Sequence, residues 1–388
     1  MVEKFRLDLS SFPKELHLLL DFIRVENDPK ASENLNHISS DIDWEYFIEL
    51  AEHHRVYPLV YTNLKKLTVH SVPAHVEKRL YIDYTRNTFQ MLYLSSEIVN
   101  VCKLFDEHQI QNIVLKGPVL AEALYGNISL RTSKDIDILI PVSDVEKAEQ
   151  ILVTAGYEAE CDIRSCFRDK KWMKLEHHVS YMHPKTGVQI EIHWRLNPET
   201  GTEPTFEELR RHSRTSTITS YPIRILGYED LFSYLVNHGA RHGWFRLRWL
   251  ADIDRMVRQS LFENITIKSL RKNRCHPAAG QTLILVSQLF HTPVKKELLL
   301  PFARKSKPAA QTAIDFIKDC SKPDSTTVPF IRYLLQFKTN KERLAFFIHR
   351  LHPSPKDTVI LPLPQYLSFL YFPLRPVLWV WRQLKQQA

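Results

Sequence analysis

All nine glycines of this 388-residue chain lie between Gly117 and Gly280, so the first 116 and last 108 residues fold without one. Glycine supplies the positive-φ turns that close tight loops between short strands. Its confinement predicts helices at both ends and a strand-containing unit in the middle. The flanking periodicity agrees. Leu16, Leu19, Leu20 and Ile23 repeat at i, i+3, i+4 and i+7, as do Trp44, Phe47, Ile48 and Ala51, the spacing of amphipathic helices.

From Val114 the pattern changes. "IVLKG" reads as a short strand, and "PVLAEALYGN" as a helix opened by Pro118 and stopped at Gly126. "DIDILIP" reads as a strand ended by proline. "SDVEKAEQILVTAGY" reads as a helix with a capping box from Ser143 to Glu146. "HHVSYMHPKTGVQIEIHWRL" predicts two alternating strands joined by the turn "PKTG". Helical spacing returns beyond Ile225. The expected fold class is α+β, a mixed-sheet core flanked by helical regions, with boundaries at 1–100, 101–222, 223–350 and a Pro/aromatic-rich tail at 351–388.

Asp-Ile-Asp occurs three times, at Asp41–Asp43, Asp135–Asp137 and Asp252–Asp254. Only the middle copy falls in a strand, where residues i and i+2 share a face, so Asp135 and Asp137 project together while Ile136, Ile138 and Ile140 enter the core. Two like charges held close call for a positive partner, and a divalent cation fits. The first copy stands at a helix start, where it can cap. The third lies within a helix, where the two side chains diverge by about 200°. In "GVQIEIHW", Val188, Ile190, Ile192 and Trp194 form one face and Gln189, Glu191 and His193 the other, making Glu191 the strand's one carboxylate. Such oxygen ligands suit Mg²⁺ or Mn²⁺. The strand–Gly117–helix turn suits an anion such as a triphosphate, although it is not a Walker A loop. Lys116 and Arg131 read either as phosphate-neutralising groups or as ion-pair residues.

Together, "LKGPVLAEALYG", "LRTSKDIDILI" and "VQIEIHW" resemble the DNA polymerase β-type nucleotidyltransferase superfamily, in particular its bacterial branch of uncharacterised nucleotidyltransferases, over about residues 40 to 260. The resemblance implies metal ligands at Asp135, Asp137 and Glu191 and nucleotide phosphates at the Gly117 turn. It implies transfer of a nucleoside monophosphate from an NTP, ATP among them, to a hydroxyl acceptor: a small molecule, sugar, peptide or protein. A protein of the same fold that binds nucleotide or partner without catalysis is the alternative. Many members have Gly-Ser or Gly-Gly where this chain has Gly117-Pro118.

His238 and His242, at i and i+4, read as zinc ligands, as nucleotide or acceptor contacts in a cleft, or as helix packing; Arg241, Trp244, Arg248 and Asp252 are neighbours to the cleft reading. A net charge of +8 without a Lys/Arg block permits nucleic acid but does not favour it. Five cysteines without a framework, and a charged N-terminal stretch unlike a signal peptide, suggest the cytoplasm. The tail's prolines interrupt any run of the roughly 20 apolar residues that spanning needs. Tyr371, Phe372, Trp379 and Trp381 suit either a peripheral membrane contact or packing on the helical region.

Overall fold

The structure, a computed structural model, describes residues 5–67, 71–159, 176–198, 203–261, 275–299, 303–320 and 327–351, with scattered positions between and after these blocks. Its centre is a mixed sheet in the order β3-β4-β5-β2-β1-β7-β6. The strands are β1 Ile113–Val114, β2 Asp135–Leu139, β3 Glu158–Ala159, β4 His178–Met182, β5 Gln189–His193, β6 Arg214–Thr215 and β7 Arg224–Ile225. β2 runs parallel to β5, with Asp137 opposite Glu191, and β4 closes antiparallel on β5 with His178 opposite His193. The turn "PKTG" joins β4 to β5 as expected, with Gly187 N–H donating to His183 O at 2.8 Å and Gly187 at φ +69°.

Alternation sorts the two faces. Ile136, Ile138, Ile140, Val188, Ile190, Ile192 and Trp194 enter one core, packed with Val145, Ala148, Ile151 and Leu152 of the helix Val145–Thr154. The opposite face changes character along its length. Asp135 and Asp137 line one end of β2, whereas Leu139, with Ile113 and Leu115, joins a second core built from the helical flanks. That core unites Leu16, Leu19, Phe22 and Phe47 from the first part of the chain with Leu231, Phe232, Trp249, Leu250 and Leu283 from the last. The helix Ala74–Glu107 serves both cores: Val76 and Leu80 belong to the second, and Met91, Leu94, Ile98 and Phe105 to the first. The boundary expected at residue 100 falls inside it. Among the described residues no helix is long and apolar enough to cross a membrane.

One expectation is corrected. The helix at Val145 has no capping box: a 3-10 turn over Val142–Asp144 precedes it, and Ser143 Oγ donates to Asp144 at 3.3 Å instead of capping. Positive φ is concentrated in the glycine-bearing middle as expected, with Arg55, Gln109, His291 and Cys320 adopting it outside. Asp43 does cap its helix, accepting from Tyr46 N–H at 3.0 Å. Cys102, Cys275 and Cys320 are free thiols, and Cys161 and Cys166 lie outside the described residues. So do Phe372 and Trp379 of the tail, where Tyr371 is buried and Trp381 exposed.

Two buried polar links join the flanks to the sheet and to each other. Arg131, just before β2, makes a bidentate pair with Asp252 of the helix Leu247–Arg258, Nε to Oδ1 at 3.0 Å and Nη2 to Oδ2 at 3.0 Å, with the side chains 1% and 0% exposed. Tyr125 OH donates to the same carboxylate at 3.0 Å. The second link is His54. Its Nδ1 accepts from Leu247 N–H at 3.3 Å, and its carbonyl accepts from Arg248 N–H at 3.2 Å, so the first-turn amides of that helix end on the residue before Arg55. Burial, reinforced by His53 and Arg246, holds the His54 imidazole neutral with its pKa well below the usual range.

Asp252→Ala leaves a buried guanidinium without its counter-charge and is expected to lower unfolding free energy by about 3–5 kcal/mol, read from urea denaturation. His54 predicts acid lability. Its folded pKa lies below the unfolded value of about 6.5, so the unfolded state binds more protons, and its contribution is intact above that pH and lost as pH falls below it. The urea midpoint should therefore drop between neutral and mildly acidic buffer, with a shallower drop in His54→Gln.

Candidate functional site

The acidic end of the β2/β5 face gathers a cluster of titratable side chains. Parallel pairing sets Asp137 beside Glu191, and the two-residue repeat brings Asp135 and His193 onto the same surface. His193 Nε2 lies 3.1 Å from Asp137 Oδ1 and 3.3 Å from Glu191 Oε2, while His178 Nε2 on β4 stands 3.8 Å from Glu191 Oε2. Lys116 reaches in from the end of the first strand, its Nζ 3.1 Å from Asp137 Oδ1 and 5.5 Å from the centre of the Tyr234 ring.

The charges of this group depend on one another. Burial alone would push the Asp137 carboxyl up, but Lys116 and His193 outweigh it and hold the group well below the usual carboxylate range. Asp135 moves the other way: burial, then the neighbouring Asp137, raises it. Burial opposes the Lys116 ammonium, yet Asp137, Tyr234, Asp135 and Glu191 together raise its pKa. For His193 as well, hydrogen bonds to Asp137 and Glu191 overcome burial and favour the imidazolium. His178 is pushed down to about 4, by burial first and by His193.

Two atoms of this group are left over. Asp137 Oδ2 and His193 Nδ1 are buried with no hydrogen-bond partner, a costly condition for a carboxylate oxygen above all. Ligand atoms of Asp137, Glu191 and His193 lie within 4.8 Å of one another, a spread that one cation can bridge. The orphaned oxygen and the oxygen-rich donor set fit a divalent ion of the hard class.

The turn before the site is built as the sequence suggested. Gly117 sits at φ +84° and ψ −146°, a conformation that side-chain-bearing residues rarely adopt, and it caps the helix Pro118–Tyr125. A Cβ there would meet Asp135 O at 3.7 Å and Ser133 Oγ at 3.9 Å, so the turn lies directly against the start of β2. Pro118 at the first helical position has no N–H, which thins the set of amides the turn can offer an anion.

Residues 40–291 match the sequence profile of a family described as uncharacterised nucleotidyltransferase. The chain belongs to that family. No curated protein sequence matches it at a significant level. The matched span of this nucleotidyltransferase contains the whole sheet, the Gly117 turn and both helices that frame the site, Tyr228–Arg241 and Leu247–Arg258.

Not every residue singled out in the sequence lies at the site in the expected way. Arg131 is corrected: its guanidinium is saturated by Asp252 in the interior, so it serves as a structural ion pair instead of a free phosphate ligand. Trp244 is likewise a core residue, fully buried against Gly239, where a Cβ would come within 2.2 Å of its ring. His238 and His242 lie 4.8 Å apart by ring centres and pack on Trp249, His238 edge-on at 5.3 Å and His242 tilted at 5.5 Å, and among the described residues no further ligand gathers them into a metal cluster. Burial and then Lys116 hold His238 well below its usual pKa. Sequence reasoning did not find Tyr234, the His178 contact or the Lys116–Asp137 pair. The pairing of "HHV" with "EIH" followed from the predicted hairpin and was the one signal that could have found His178.

In metal-free buffer, Lys116→Met removes the built-in counter-charge of three carboxylates and should lower stability by about 3 kcal/mol in urea denaturation. Added Mn²⁺ should then raise the midpoint of this variant more than that of the wild type.

Proposed function

We propose that this chain is a divalent-metal-dependent nucleotidyltransferase of the polymerase β type, moving a nucleoside monophosphate from an NTP, ATP among them, to a hydroxyl of an acceptor molecule with release of pyrophosphate. The observation that carries this reading is the buried, partnerless Asp137 Oδ2 beside Glu191, on the strand whose first residue, Asp135, lies against the Gly117 turn. Asp135, Asp137 and Glu191 would hold Mg²⁺ or Mn²⁺. When bound, the ion would neutralise phosphate charge and align the oxygens for in-line displacement.

The chain's own residues do the remaining work. His193, bonded to both Asp137 and Glu191, fixes the two carboxylates in one arrangement across β2 and β5. Glu191 is less enclosed than Asp137, 20% against 1% exposed, and so is the carboxylate placed to receive the proton of an incoming hydroxyl. The acceptor oxygen bonds to the α-phosphorus as the bond to the β-phosphate oxygen breaks, and the electron pair leaves with pyrophosphate. Lys116, between Asp137 and the ring of Tyr234, supplies a fixed positive charge at the same end. That Lys116 already neutralises Asp137 also supports a second reading, a nucleotide- or partner-binding protein of this fold without transfer.

Labelled NTPs with Mg²⁺ and a cell extract should label an acceptor in the presence of the wild type, and Asp137→Asn should reduce the label by about a thousandfold or more, as loss of a charge-stabilising group does. Label that survives the substitution would sink the catalytic assignment. NTP binding without any transfer would favour the binding protein.

A further inference from the structure

Three arginines gather where the two helical flanks meet near the start of β2, and one of them, Arg248, is a neighbour to the cleft reading of the sequence. The His54 link explains how they meet. By docking on the start of the helix Leu247–Arg258, it places Arg55, which follows it in the chain, beside Arg246 and Arg248, which begin that helix. Arg55 turns there at φ +57°, a conformation disfavoured for a side-chain-bearing residue and held by its surroundings. Arg248 is only 9% exposed, and its guanidinium donates to the carbonyl and, at 3.2 Å, to the hydroxyl of Thr132. Thr132 adjoins Ser133, whose Oγ lies 3.9 Å from the Cβ position of Gly117 and donates to Asp135 O at 3.2 Å. Arg248 and the Gly117 turn thus flank the same segment, Thr132 to Asp135, at the start of β2, and the His54 link brings Arg55 and Arg246 beside Arg248.

The local charge does not balance. Among the described residues none of the three side chains makes an ion pair, and Nε of Arg246 and of Arg248 is buried with no acceptor. Burial weakens the hold of all three on their protons, reinforced by Arg55 at Arg246 and by Arg131 and then Arg55 at Arg248; Asp135 opposes this at Arg55 and Arg246, and Asp252 and then Asp135 at Arg248. A carboxylate committed to a cation cannot also neutralise three guanidiniums. Unpaired buried donors of this kind cost free energy that a polyanion would recover.

We propose that Arg55, Arg246 and Arg248, contributed by the two helical flanks, form the polyphosphate grip of this site and hold the phosphates that leave as pyrophosphate. The proposal rests on the nucleotidyl-transfer reading for the identity of the anion. Guanidiniums suit the task because their planar donor forks match phosphate oxygens two at a time. The grip also offsets what Pro118 removes from the Gly117 turn. Glu191, His193 and His178, on the far side of Asp137, are left for the acceptor.

The test uses calorimetric titration of the full chain with ATP, AMP and inorganic tripolyphosphate in the presence of Mg²⁺. Arg246→Gln and Arg55→Gln should each weaken ATP and tripolyphosphate by about tenfold or more while leaving AMP within twofold. Arg248→Gln should do the same, and if its bond to Thr132 proves necessary for folding, the other two variants decide. Unchanged ATP affinity, equal weakening of ATP and AMP, or a wild type that does not bind tripolyphosphate would each overturn the grip. The failure of the parent reading looks different: Arg-dependent tripolyphosphate binding in a protein that transfers no label would remove the transferase and keep the polyphosphate site.

Discussion

The pairing of Arg131 with Asp252 is the constraint on which the rest of the site depends. Both charges are fully enclosed, and neither can leave without stranding the other in the interior. A buried ion pair adds little net stability compared with apolar packing, but it tolerates almost no change in geometry. Here it locks the segment leading into β2 against the helix Leu247–Arg258. Asp135, two residues beyond Ser133 on that segment, and Arg248, four residues before Asp252 on that helix, are thereby held in one frame.

Within that frame the site divides into two electrostatic halves. On the sheet side, Asp137 and Glu191 share His193, and Lys116 answers the charge of Asp137. On the helical side lie guanidiniums that lack carboxylate partners of their own. Such a juxtaposition is unstable as a static structure. It is well suited to a ligand that brings both signs, a cation-bound polyanion, because each half then loses its excess.

The sheet and its acidic face were legible in the sequence because both follow from alternation. Ile136 and Ile138 pointing inward require Asp135 and Asp137 to point outward, and the same rule applied to "VQIEIH" isolates Glu191. The helix around Asp252 and Asp254 was equally legible, and its two aspartates diverge as a helix demands, one to Arg131 and the other to Arg258 and Thr292. What alternation does not carry is partner choice. Arg131 lies 121 residues from Asp252, and a lone arginine before an acidic strand reads equally well as a phosphate ligand.

By itself, then, the sequence determined the periodicities: which stretches are helix or strand, which side chains share a face, and where a backbone needs glycine. These are local properties, set by sterics and by the burial of apolar surface over a few residues. The tertiary structure decided which charges meet. It turned Arg131 inward to Asp252, brought Lys116 to Asp137, and drew Arg55 across 193 residues to Arg248 through the carbonyl of the neighbouring His54. Those outcomes depend on how separate elements dock, and a charge in a linear chain has no periodicity that reports its partner.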